Sequence, residues 1–236
     1  MSDPRRIRIA QDVLAGMVRV DLVLQSRSVR HAAAAVAWSL AFVYIAAEIV
    51  TALAWSTPYS FQYDTISDLG VTACTVDLCS PRHLVMNATF VALGLLTIVG
   101  AVLFRETLTN GYRRKWILSL AVLVGLSTAA TGLMPSNDNF VLHMLAVVPG
   151  FVSRHIVLIL LAVWLWQQRR VIAVWSATCA LSGVVGAVLF LGSAVRIGIS
   201  ERLVLYPLPA FMAVTGVAVL ATMISRRFRP MRARVR

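Results

Sequence analysis

Acidic residues are scarce in this sequence of 236 residues: 10 Asp and Glu stand against 22 Lys and Arg, and charged residues make up only 14% of the chain. A soluble domain carries about 25% charged residues. The deficit excludes an ordinary water-soluble enzyme and a disordered chain. Cysteine is equally thin, with 3 residues, which excludes a disulfide-built scaffold. No His-Glu-x-x-His or His-x-x-x-His spacing occurs, no Gly-x-Ser-x-Gly elbow occurs, and Cys179 has no identifiable activating base. Nothing in the sequence therefore supports serine or cysteine nucleophile chemistry. No internal repeat is visible, which weakens an inverted-repeat transporter. What the chain does have is apolar residues, 59% of the total. It reads as a polytopic membrane protein.

A helix needs about 20 apolar residues to cross the hydrocarbon core. Six stretches qualify: Ala32–Ala54, Leu84–Phe104, Trp116–Met134, Phe140–Trp166, Val171–Ser193 and Val204–Ile224. Helix is the expected state because lipid leaves backbone polar groups no other partner. The predicted fold is an all-α bundle of six transmembrane helices. Three regions follow: a basic segment 1–31, a six-helix domain 32–225 with an ordered outer loop 55–83, and a basic tail 226–236. In the first region Ile9, Val13, Met17, Val20 and Leu24 recur at helical spacing. That pattern fits an amphipathic surface helix as well as a frayed tail. Charges at Arg8, Asp12, Arg19 and Asp21 leave no apolar core for a cleavable signal peptide.

The basic residues fall in four clusters between the apolar runs, around Arg5–Arg30, Arg105–Lys115, Arg169–Arg170 and Arg226–Arg236. An even number of spans puts all four clusters on one side. Lys/Arg-rich loops stay cytoplasmic, so both termini are expected in the cytoplasm. The basic flanks would then meet anionic lipid headgroups rather than nucleic acid. Heavy use of Ala, Val and Arg with a single Lys points to a bacterial source, and hence to a bacterial plasma membrane.

Ionisable groups gather on the opposite, outer side. In the first outer loop Asp64 is expected to cap a short helix Thr65–Leu69 through the Ser67 N–H. Gly70 is expected to close that helix in a left-handed conformation, leaving the Asp68 carboxylate free. His83 opens the second span, with Asn87 one turn deeper on the same face. Asp138 is placed to cap the fourth span, and His143 follows. Bundle connectivity allows His83 and His143 to meet. Ser200 is placed to cap the sixth span, with Glu201 and Arg202 completing a charged rim.

Arg154 and His155 are the most telling pair. In an unbroken fourth span Arg154 lies near the bilayer centre, where it costs about 2.5–3.5 kcal/mol on insertion scales and needs a partner. Glu48, the acidic residue within the first span, is the expected partner. If Pro149-Gly150 instead breaks the helix, Arg154 and His155 move to the outer interface. Cys74 and Cys79 lie in the outer loop, where an oxidising face permits a disulfide that would pin it. Cys179 reads as a small core residue.

The run Asp64-Thr-Ile-Ser-Asp-Leu-Gly70, then Pro135…Asp138…His143, then Gly198-x-x-Glu201-Arg202, resembles the bacterial six-span membrane family catalogued as domain of unknown function nine-nine-eight. The resemblance covers roughly residues 32–224 and implies a six-helix inner-membrane protein with no established activity.

Three functions compete. In the first, Asp64, Asp68, His83, Asn87, Asp138, His143, Arg154, His155, Glu201 and Arg202 line an outward-facing polar cavity that binds or translocates a small or lipid-derived ligand, with no cofactor. In the second, His83, His143 and His155 hold a zinc ion that activates water for hydrolysis. In the third, the cluster is an ion-paired brace in an accessory subunit. A homodimer or a larger membrane complex is compatible with each.

Overall fold

The computed structural model describes residues 25, 27–76, 78–108, 110–192 and 196–233. The expected amphipathic segment Ile9–Leu24 lies outside the described residues. Among those described, six helical segments are long and apolar enough to cross a membrane. They are α1 (Arg27–Ala52), α2 (His83–Phe104), α3 (Tyr112–Leu133), α4 (Phe140–Leu165), α5 (Arg170–Gly192) and a final span made of α6 (Ile197–Leu205) and α7 (Pro207–Ala233). No strand occurs among the described residues. The chain is an all-α, multi-pass membrane protein.

The final span differs most from the sequence reading, at both of its ends. The final span begins at Ile197 rather than Val204, and its helix is interrupted at Tyr206, just before Pro207. Pro207 opens α7, a position where its missing N–H costs nothing. At the far end α7 runs on through Ala233, so the basic tail continues the helix up to that point.

Each span packs on its neighbour in sequence, and α7 closes the ring against α1 around Leu40–Phe42. Lipid tails supply no hydrophobic drive between spans, so close backbone approach has to supply packing. The α2–α3 contact shows it. A Cβ on Gly94 or Gly125 would run into the other glycine's carbonyl, and one on Gly132 would run into the Asn87 backbone. Outward faces carry exposed Leu95, Leu126, Val152, Val163, Leu181 and Val217, the arrangement an apolar solvent favours. Hydroxyls within the spans bond back one turn, as in Thr51 to the Ala47 carbonyl and Thr128 to the Val124 carbonyl, each at 2.8 Å, which satisfies them within their own helix.

The fourth span is not broken at Pro149-Gly150. Helix α4 is continuous over 26 residues with Pro149 inside it. Ser127 of α3 makes this possible. Its hydroxyl accepts the Gly150 N–H at 2.8 Å and donates to the Ala146 carbonyl. A neighbouring helix thus replaces the helical bond that the proline disturbs. Arg154 stays deep in the bundle as a result.

Candidate functional site

One end of the bundle carries the arginine clusters; Arg30 there binds Glu106 at 2.9 Å, and Arg27 lies 3.7 Å from it. The other end is closed by the loop between α1 and α2. That loop is held by charged side chains from the last span rather than by hydrophobic contact alone. Arg202 is the centre. Its Nε donates to Glu48 Oε1 at 2.8 Å, and its Nη2 makes the ion pair with the same oxygen, also at 2.8 Å. Its Nη1 reaches the carbonyls of Phe61 (2.8 Å), Asp64 (2.9 Å) and Gly198 (2.8 Å), and Nη2 also donates to the Tyr59 hydroxyl. The Tyr206 hydroxyl donates to Glu48 Oε2 at 2.6 Å. Glu48 is 0% exposed and Arg202 8%. A planar fork that spends every N–H suits arginine and not lysine.

The expected Glu48–Arg154 pair is therefore corrected: Glu48 is bound to Arg202. The reason is the early start of α6, which carries Arg202 and Tyr206 inward from the rim to face α1. Tyr59 completes the shell by donating to the Thr65 carbonyl at 2.8 Å. Burial pushes its phenol above the ordinary range, so it remains a neutral donor and acceptor.

Glu201, one residue earlier, turns to a different set of partners. It accepts the Ile66 N–H and, at 3.1 Å, the Ser67 hydroxyl. Ser67 also lies 3.2 Å from His143 Nε2, and His143 Nδ1 lies 2.7 Å from the Met134 carbonyl. Glu201 and Ser67 border a small cavity of about 20 Å³ that Arg154 and Tyr44 also line. That is room for roughly one water. Arg154, 5% exposed, donates to the carbonyls of Gly150 (3.0 Å) and Leu205 (3.3 Å). No carboxylate lies in ion-pair contact with it among the described residues. The Tyr44 hydroxyl is buried without a protein partner.

The remaining sequence candidates make local contacts around the loop and helix ends. Asp64 accepts the Ser60 N–H at 2.6 Å and does not cap the turn. Thr65 and Asp68 do so reciprocally: Asp68 Oδ2 accepts Thr65 N at 2.8 Å, and Thr65 Oγ1 accepts Asp68 N at 3.1 Å. The Asp68 carboxylate is thus not free. Gly70 is not left-handed, since Gly111 alone has positive φ among the described residues. Gly70 is small because a Cβ would overlap the Asn87 amide, which donates to the Gly70 carbonyl at 2.8 Å. Asn139, not Asp138, caps α4 through Leu142 N at 3.1 Å. Asp138 instead accepts the Thr72 hydroxyl at 2.7 Å. Ser200 lies inside α6 and bonds back to Arg196 and Ile197, so it caps nothing.

His83 bonds the Ser80 carbonyl at 3.0 Å and shares no partner with His143. His155 points its Nδ1 at the Phe151 carbonyl, 2.6 Å away, and packs its ring against Gly183 of α5. Among the described residues no group of three His, Cys, Asp or Glu side chains is placed to hold a metal ion, so the three expected zinc ligands do not converge. Sequence reasoning missed Tyr44, Tyr59, Ser67 and Tyr206. The four-residue spacing of Arg202 and Tyr206 was the available signal for the last of these, because it puts both on one helical face.

Cys74 and Cys79 form a disulfide, but at a sequence separation of 5 it ties only a short stretch of the loop. The loop is pinned by Arg202, by Glu201, by Asn87 and by Ser80, whose hydroxyl donates to the Leu69 carbonyl at 2.7 Å. Replacing both cysteines with serine is accordingly expected to cost about 2 kcal/mol at most, the entropy of so short a cross-link. Thermal unfolding in detergent with and without reductant measures it, and a collapse of the fold on reduction would contradict this account.

Below the polar layer lies a larger void of about 120 Å³ with an almost wholly apolar lining. Every span contributes to its wall: Trp38, Thr97, Ala121, Val157, Ile172 and Phe211 come from α1, α2, α3, α4, α5 and α7. Thr107, Leu108 and Arg169 border it at the arginine end. Leu93, Thr128, Arg154 and Leu205 line the small cavity, and Thr97, Val124, Val157 and Leu208 line the large one. These four pairs are each about one helical turn apart, so the two cavities stack along the bundle axis.

A family model described as "Protein of unknown function (DUF998)" matches residues 32–218. No curated protein and no solved structure matches the chain.

Proposed function

The chain belongs to the DUF998 family, and from the shape of the bundle we propose that it binds a lipid-derived, largely apolar ligand inside the ring of helices. The observation that carries this reading is the central void of about 120 Å³ walled by all six spans. An apolar lining gives water nothing to bond, so the cavity favours a hydrocarbon occupant. The loop-end cluster then serves as a fixed lid, and the arginine end, with Arg169 at the rim, as the approach for an anionic or polar headgroup. The arginine-rich end belongs in the cytoplasm of a bacterial plasma membrane, since Lys/Arg-rich ends are retained on that side.

The brace reading is favoured by one specific fact: the donors of Arg202 are spent on Glu48, Tyr59 and loop carbonyls. It accounts for the lid and leaves the central void unexplained.

A naturally fluorescent polyene fatty acid tests the proposal on the purified full chain. Saturable binding is expected, with Ala121→Phe weakening it at least about tenfold, or 1.4 kcal/mol, because the ring would occupy the void. Ala121→Leu is expected to have a smaller effect in the same direction. Absence of saturable binding, or equal affinity in an Ala121→Phe variant that melts like the parent, would overturn it.

A further inference from the structure

The geometry points to a proton-binding site at the loop end, formed by His143, Ser67 and Glu201 and holding one shared proton. It does not depend on whether the central cavity takes a ligand. The argument is one of donors and acceptors. His143 Nδ1 lies 2.7 Å from the Met134 carbonyl. A carbonyl only accepts, so Nδ1 carries a hydrogen. His143 Nε2 lies 3.2 Å from Ser67 Oγ, and Ser67 Oγ lies 3.1 Å from Glu201 Oε1. Ser67 has one hydrogen for these two neighbours.

If the hydroxyl donates to Glu201, Nε2 must donate to Ser67 and His143 is an imidazolium facing a carboxylate. If the hydroxyl donates to Nε2, Glu201 must donate to Ser67 and is a carboxylic acid beside a neutral imidazole. Both arrangements contain one ionisable proton. They interconvert when the Nε2 proton passes to Ser67 Oγ as the Ser67 proton passes to Glu201 Oε1, with no net gain or loss. With no such proton, two lone pairs face each other across one of the contacts. The three residues come from α4, the loop and α6, so the proton joins three elements.

The surroundings allow either arrangement. Arg154 from α4 and Tyr44 from α1 line the cavity beside Glu201. Arg202 is already neutralised by Glu48, Asp68 is engaged with Thr65, and Tyr59 stays a neutral phenol. His143 and Glu201 are both buried, at 5% and 4% exposure, so bulk water does not supply the missing bond. The cavity of about 20 Å³ that reaches Ser67 and Glu201 gives a single water's width of access to the relay.

The test counts protons in the full chain reconstituted in bilayers. Nitrogen-15 spectra of labelled histidine report the charge of His143, assigned by its loss in His143→Gln. Infrared spectra report a protonated carboxyl, assigned by its loss in Glu201→Gln. One proton is expected between the two residues: either an imidazolium signal with no Glu201-dependent acid band, or a neutral imidazole with that band. Ser67→Ala, which removes one hydroxyl, is expected to shift the His143 signals or the acid band. A neutral imidazole without the band, an imidazolium together with the band, or spectra unmoved by Ser67→Ala would each overturn the proposal.

Discussion

Replacing Arg202 with methionine is expected to lower the stability of the bundle by about 3–5 kcal/mol, the usual cost of removing one partner from a buried ion pair. Glu48 is fully buried and would keep only the Tyr206 hydroxyl as a donor. The Phe61 carbonyl would also lose its donor, the Asp64 carbonyl would keep only the Tyr59 hydroxyl, and the loop would lose one of its anchors to α6. Denaturant titration of the purified chain, read by helix content, measures the loss. Arg202→Lys is expected to restore little, since one ammonium cannot span Glu48, Tyr59 and the loop carbonyls together.

The double variant Glu48→Leu/Arg202→Met decides how much of that loss is charge. Apolar replacement of an entire buried pair is often close to neutral. Recovery is expected to be partial here, because the Phe61 carbonyl remains without its donor in the double variant. Full recovery would show that the loop contacts are incidental. Arg154→Met sets the scale from the other side: with two carbonyl acceptors and no carboxylate in contact, its loss is expected to cost only about 1–2 kcal/mol. An effect of Arg154→Met as large as that of Arg202→Met would mean that the nearby Glu201, and not Glu48, is the charge that matters.

The spans were legible because lipid imposes one rule on every residue of a crossing segment. The wish of Glu48 for a cation was legible for the same reason. Its partner was not. Arg154 and Arg202 are both candidate cations for it, and sequence spacing says nothing about which helix face meets α1. The deciding feature, a helix starting at Ile197, is hidden because Arg196, Glu201 and Arg202 interrupt the apolar run. The unbroken α4 was hidden for a related reason. Ser127 repairs the Pro149 site from another helix, a contact no window on the fourth span contains. In the loop between α1 and α2 the cap shifted by one residue, from Asp64 to Thr65. Either chemistry suits a cap; here the Asp64 carboxylate is taken by the Ser60 N–H and its carbonyl by Arg202. The central void had no signal at all, because a missing volume among apolar side chains is a property of packing.

Glu201 separates the two roles of the loop-end cluster, structural acceptor and proton holder. Glu201→Ala removes the acceptor of the buried Ile66 N–H and of Ser67, and is expected to cost about 1–3 kcal/mol, the penalty for stranding a buried donor. Amide exchange at Ile66 and Ser67 is expected to quicken in that variant while the interior of α3 stays protected, since the lost bonds belong to the loop. Glu201→Gln keeps an oxygen for Ile66, and its amide N–H donates to Ser67, as the carboxylic acid would. Ser67 is then free to donate to a neutral His143, so every contact is satisfied without an ionisable proton. The glutamine variant is therefore expected to lose no more than about 1 kcal/mol and to keep Ile66 protected. If alanine and glutamine prove equally damaging, the carboxylate charge itself holds the loop, and its counter-charge across the small cavity is Arg154.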